Sequence, residues 1–195
     1  MKITIFALYG GIGKTSTAAE LSLTSGYQII TNDVYSPLSL ILNDDMLLKL
    51  LPNQKMPELP DEVDIIFDLG GYPDERAIYA MGQSNYVLVP TKADTNRLKA
   101  ALDTINEIKK YNSNIVVIVN FAEAGDSKLV KDVLLHNFPK LDIPVFELKK
   151  SNAIPNIMTE KKSVHEMVKD GGLKKYHFQS VVNQFDSIMS YLNIL

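Results

Sequence analysis

The 195-residue chain contains no cysteine, so neither a disulfide framework nor a thiolate metal site is open to it. That fits a cytoplasmic protein, which is the expected location. No apolar stretch approaches the roughly 18 residues that a membrane-spanning helix needs. The first run, Lys2–Leu8, is followed at once by glycines and Lys14, and it reads as a buried first strand rather than a secretory segment. Neither sign of charge dominates: 20 Lys and Arg stand against 23 Asp and Glu, a net charge of -3. This balance imposes no obligate nucleic-acid or anionic-membrane partner, as a strongly basic chain would. No internal repeat, low-complexity tract or break in composition divides the sequence. With 46% hydrophobic residues it can bury a core, and a single domain over 1–195 is expected.

What is present is an alternation of short apolar runs and longer periodic segments. Strands are expected at Lys2–Leu8, Tyr27–Thr31, Val63–Leu69, Asn85–Pro90, Ile115–Asn120 and Ile143–Leu148. Helices are expected at Thr15–Ser25, closed by Gly26, at Ser36–Leu51, where leucines recur at helical spacing, and at Asp74–Met81. Thr95–Tyr111, Lys128–Asn137, Ser163–Val168 and Lys174–Leu192 complete the helices, the last two parted by Gly171-Gly172. Pro52–Pro60 holds three prolines and reads as a loop. Strands made mostly of Val, Ile and Leu fit burial on both faces. The expected fold is therefore α/β, a doubly wound and mostly parallel sheet with helices on both faces.

Chemistry concentrates at Gly10-Gly11-Ile12-Gly13-Lys14-Thr15. Glycines let the backbone close around phosphate oxygens with amides pointing inward, and a helix N-terminus adds partial positive charge. Lys14 would reach the β- and γ-phosphates, and the Thr15 hydroxyl would bind Mg²⁺. The strict spacing G-x-x-x-x-G-K-[ST] is not met, because its first glycine falls on Leu8. The alternative is a glycine turn that merely joins strand to helix. Asp68 ends an apolar strand, at the sheet edge where parallel α/β folds bind ligands; it is either an Mg²⁺-holding carboxylate or a turn residue before Gly70-Gly71. His136, His165 and His177 show no metal spacing.

Gly-Gly-Ile-Gly-Lys-Thr-Ser resembles the deviant Walker A box of the ParA/MinD family, Lys-Gly-Gly-x-Gly-Lys-Thr. The likeness continues in order over roughly residues 1–170. Val63–Gly71 resembles the Walker B strand and its switch, and Asn85–Thr91 the next strand with its proline. Val116–Asn120 resembles the strand ending in a nucleotide-contacting asparagine, and Ser151–Val164 the late loop and helix. The resemblance implies a P-loop ATPase that uses ATP/ADP and Mg²⁺. Gly10, Gly11, Ile12, Gly13, Lys14, Thr15 and Ser16 would cradle the phosphates, Thr15 and Asp68 hold the metal, Asp33 position the attacking water, and Asn120 meet the adenine. For Asp33 a capping or turn role is the alternative, and for Asn120 a strand-ending turn. It further implies an ATP-dependent homodimer and a partner protein that stimulates hydrolysis.

One departure matters. The signature lysine of that box, which reaches across the dimer to the partner's phosphates, is Tyr9 here, and tyrosine carries no charge. Either another group supplies the charge, or dimer-linked turnover is weak. Residues 128–177 are rich in lysine, with pairs at Lys149-Lys150, Lys161-Lys162 and Lys174-Lys175. They form either a sequence-independent DNA surface or an ordinary solvated face. The tail Phe178–Leu195 is amphipathic but has no Lys or Arg, so packing on the sheet is expected rather than a basic membrane anchor. The functional expectation is a ParA-like ATPase for plasmid partition or positioning. The alternative is a nucleotide-dependent assembly module with little turnover, in conjugation or cellular positioning. A carboxylate ligase of the dethiobiotin synthetase type shares the fold, but the sequence shows no pocket for its acid.

Overall fold

A computed structural model describes residues 1–60 and 62–194. Seven strands form one sheet: β1 (Lys2–Ala7), β2 (Gln28–Thr31), β3 (Leu47–Lys49), β4 (Ile65–Gly70), β5 (Tyr86–Thr91), β6 (Ile115–Ala122) and β7 (Val145–Lys149). Their order is β3-β2-β4-β1-β5-β6-β7, and every pairing is parallel. A parallel sheet needs helical crossovers that cover both faces. The helices are α1 (Lys14–Ser25), α2 (Glu75–Gln83), α3 (Thr95–Ile108), α4 (Asp126–Asn137), α5 (Ala153–Glu160), α6 (Val164–Lys169) and α7 (Gly172–Leu192).

Side-chain alternation along β1 sorts the core into two layers. Ile3 and Ile5 join Ala18, Leu21, Ile157, Phe185 and Ile188 under α1, α5, α6 and α7. Phe6 joins Phe67, Ala80, Met81, Ile105 and Leu134 under α2, α3 and α4. Helix starts follow local chemistry. Asp74 accepts from the amides of Arg76 and Ala77, Asp94 from that of Arg97, and Ser163 with Glu166 makes a capping box. Gly26 ends α1 in the left-handed region and donates its amide to Ser22.

The expected helix over Ser36–Leu51 is not formed. Pro37–Leu40 makes one 3₁₀ turn capped by Ser36, and Leu38 anchors it in the core. Leu47–Lys49 then pairs with β2 as the sheet's edge strand. A turn that bonds the Met46 amide to the Asn43 carbonyl separates the two. Leucine spacing in so short a run does not distinguish helix from strand, and the open edge of β2 supplies ladder partners that an isolated helix lacks. Ala153–Glu160 adds a helix that the periodic pattern does not mark, within Ser151–Val164, the segment likened to a late loop and helix; Pro155 sits in its first turn, where amides have no intrahelical partner.

The apolar face of the tail packs as expected. Phe178, Val181, Val182, Phe185, Ile188, Met189 and Leu192 are all buried. Of the segment Phe178–Leu195, Leu195 lies outside the described residues. Among the described residues no helix is long and apolar enough to cross a membrane.

Candidate nucleotide site

The C-terminal edge of the central strands carries the site. β1 runs into a glycine turn in which Gly11 and Gly13 take left-handed φ values of 69° and 91°, a region that costs other residues about 1–2 kcal/mol. Gly13 is the N-cap of α1, and its carbonyl accepts from both the amide and the hydroxyl of Thr17. Space enforces glycine there as well: a Cβ on Gly13 would lie 2.5 Å from Asn120 Nδ2.

Lys14, Thr15, Asn32, Asp33, Asp68 and Gly70 line a cavity of about 280 Å³ at this edge. The sheet order explains the grouping, because β4 lies beside β1 and β2 beside β4. Burial drives the Asp68 carboxyl up to about 6; the Thr15 hydroxyl that hydrogen-bonds it and the Lys14 ammonium pull it back, while Asp33 adds to the rise. Burial likewise lowers the Lys14 ammonium below its ordinary range, against the attraction of Asp68 and Asp33. A Cβ on Gly70 would fall 3.0 Å from Lys14 Cε, so the lysine stem lies against bare backbone.

The donor set suits a magnesium nucleotide. One carboxylate and one hydroxyl are hard oxygen ligands, and Mg²⁺ is usually held by one or two protein oxygens together with phosphate and water. Among the described residues no three His, Asp or Glu converge into a metal cage. A larger depression of about 490 Å³ lies between residues 52–56 and the start of α2. Its Asp74 and Arg76 are already paired with each other, so volume does not locate the chemistry here.

The other expected site residues fall as follows. Asp33 lies at the cavity rim, and its carboxylate also accepts from the Tyr35 amide, so it shapes a turn and faces the site at once. Ser16 stands in the first turn of α1, outside the cavity lining. Asn120 is buried at 3% exposure and donates Nδ2 to the Ile12 carbonyl at 2.5 Å. Its Oδ1 is buried without a partner among the described residues. Asn32 was not anticipated: its amide exchanges two hydrogen bonds with the backbone of Gly70, at 3.1 and 3.2 Å, and ties the end of β2 to the end of β4. A strand-terminal Asn beside an Asp was the only signal for it.

No family model matches the chain, and no curated protein matches its sequence. Solved structures do match its fold. A Cyanothece McdA variant in complex with ATP is 13% identical, with 100% of this chain and 97% of that one covered and a TM-score of 0.64. The septum site-determining protein MinD of Pyrococcus horikoshii, complexed with Mg-ADP, is 18% identical over 95% and 96% of the two chains, with a TM-score of 0.61. A putative plasmid partition protein of Borrelia burgdorferi bound to AMPPNP is 17% identical over 97% and 99%, with a TM-score of 0.55. The fold is that of the ParA/MinD-type P-loop ATPases.

Two further features stand out on this fold, one beside the P-loop and one at the sheet's far edge. Tyr9, at the signature-lysine position, is 46% exposed, and the Arg97 guanidinium lies 4.5 Å from its ring centroid. At the far edge of the sheet, Lys149, Lys150, Ser151, Asn152, Lys174 and His177 border an open cleft of about 460 Å³. Of the three lysine pairs, Lys162 is engaged by Asp170 and Lys174 by Glu160.

Proposed function

We propose that the chain, acting as one P-loop unit, is a ParA-like ATPase. It binds and slowly hydrolyses ATP with Mg²⁺, and it uses the nucleotide to form a homodimer in plasmid partition or positioning. The observation that carries the reading is the convergence of Lys14, Thr15, Asp33 and Asp68 on one cavity beside a left-handed glycine turn. The backbone of Gly10, Gly11, Ile12 and Gly13, with the first turn of α1 through Ser16, faces the phosphates. Lys14 neutralises their charge. Thr15 and Asp68 hold the metal, which when bound shields the phosphate charge against which a nucleophile must approach. Asp33, at the rim, orients the attacking water. Asn120 braces the P-loop through Nδ2 and leaves Oδ1 as an acceptor for the exocyclic amine of adenine. The exposed lysines of the β7 edge are the candidate surface for phosphate-directed DNA contact, and a partner protein would accelerate turnover.

A second reading rests on Tyr9: a nucleotide-dependent assembly module with little turnover. One experiment separates the two. Calorimetry with ATP and Mg²⁺ should show saturable binding that Lys14→Ala abolishes. Phosphate release should be measurable, should rise with DNA or partner, and should vanish in the same variant. Binding with turnover at background, unchanged by Lys14→Ala, favours the assembly module. No heat at millimolar ATP removes both.

A further inference from the structure

Arg97 lies in the first turn of α3, held by its own backbone: its amide donates to Asp94 Oδ1 at 3.1 Å, and its carbonyl accepts from the Thr91 hydroxyl at 3.2 Å. Its side chain is half-buried and borders the same crevice as Tyr9 and Ile12 of the P-loop. Nε is buried without a partner, and among the described residues the guanidinium takes part in no ion pair or hydrogen bond. Its contact is the face of Tyr9 at 4.5 Å. Stacking thus holds a guanidinium whose Nε is buried and whose remaining donors are spent on nothing.

Position adds to chemistry. In the sheet, β4 and β2 place Asp68 and Asp33 to one side of β1, while β5 leads into α3 and Arg97 on the other. Lys14 Nζ reaches the Tyr9 carbonyl at 3.4 Å, so Tyr9 links the two cations, one at its backbone and one on its ring. Even with one Mg²⁺ on Thr15 and Asp68, the cavity sets two carboxylates against a single ammonium, which leaves the charge of a triphosphate only partly met. A planar guanidinium on the opposite flank answers that, and its fork matches phosphate oxygens as an ammonium does not.

We propose that Arg97, carried on the ring of Tyr9, is a phosphate-contacting residue of the nucleotide site and makes it prefer a nucleoside triphosphate over the diphosphate. The inference rests on the nucleotide-binding reading above. Charge-assisted hydrogen bonds of this kind are worth roughly tenfold to a hundredfold in affinity.

The test is titration calorimetry of the full chain with Mg-ATP and Mg-ADP, alongside thermal unfolding without nucleotide. Arg97→Gln should weaken ATP by about tenfold or more and ADP by less than about threefold, with the nucleotide-free melting temperature unchanged. Tyr9→Phe, which keeps the ring, should behave as the parent protein. Arg97→Lys keeps the charge but loses the fork, and should narrow the ATP-over-ADP preference; it also serves if the glutamine variant folds poorly. Equal affinities in Arg97→Gln and parent overturn the proposal, as does an equal loss for both nucleotides with a matching drop in melting temperature. If the parent protein itself binds neither nucleotide, the functional reading fails and this inference goes with it. If the parent binds ATP and the variants do not differ, the inference fails alone.

Discussion

Replacing Asp68 with asparagine should make the nucleotide-free protein more stable while destroying its response to Mg-ATP. Asp68 is buried at 3% exposure, and its carboxyl, which ordinarily titrates near 3.8, is pushed up to about 6. An acid whose folded-state pKa is raised costs nothing when both states are protonated. The penalty grows as pH climbs from about 3.8 to about 6 and is complete above that. At about 1.4 kcal/mol per tenfold in proton affinity, the full penalty is about 3 kcal/mol. That figure already includes the pull of Lys14 and Thr15 on the carboxylate; part of the gain is given back because the asparagine amide must itself be satisfied in the same buried site. The net gain of Asp68→Asn at pH 7.5 is then about 1–2 kcal/mol, or roughly 2–8 °C in melting temperature for a chain of this size. The assay is thermal unfolding of both proteins at pH 7.5 and pH 4.5, with and without Mg-ATP. The gain should shrink at the lower pH, and the melting shift on adding Mg-ATP should appear in the wild type alone. A nucleotide-free variant that is less stable at pH 7.5 would refute the reasoning, because it would mean that the Asp68 charge is compensated in the fold rather than held for a cation.

Two further outcomes are expected. Gly13→Ala should lower stability by about 2–4 kcal/mol, combining left-handed strain with a Cβ placed 2.5 Å from Asn120 Nδ2. Adding Asn120→Gly should return the steric part only, as read by urea unfolding of the single and double variants. His165 lies between Glu20 and Asp186 at 2.7 and 2.8 Å, two carboxylate acceptors that only a doubly protonated ring can satisfy. Burial pulls its pKa down, but the hydrogen bonds and charges of Glu20 and Asp186 outweigh that and leave it raised. Its contribution is therefore complete below the unfolded value of about 6.5 and is lost as pH rises through the higher folded value. His165→Gln should cost about 2–4 kcal/mol at pH 6, because Glu20 is left buried without its counter-charge, held only by the Val164 amide and the Thr24 hydroxyl. The difference from wild type should narrow toward pH 8.5; denaturant unfolding across that range would show a constant gap if the ion pairs were irrelevant.

Much of the protein was legible one segment at a time. Six apolar runs and the glycine-lysine turn are local signals, because a buried parallel strand needs a short unbroken apolar stretch and a phosphate loop needs glycine beside a helix start. Asp68 and Asp33 were within reach for the same reason: strand ends at one sheet edge must converge. Other features belonged to the folded chain alone. Leu47–Lys49 became a strand because the open edge of β2 offered it hydrogen bonds, which no spacing of leucines encodes. Asn120 turned to the Ile12 carbonyl, 108 residues away in sequence. Arg97 settled on Tyr9 because β5 lies next to β1. Periodicity reports which face of an element is apolar; which polar groups meet across the sheet depends on strand order, and strand order is decided by the packing of the whole chain.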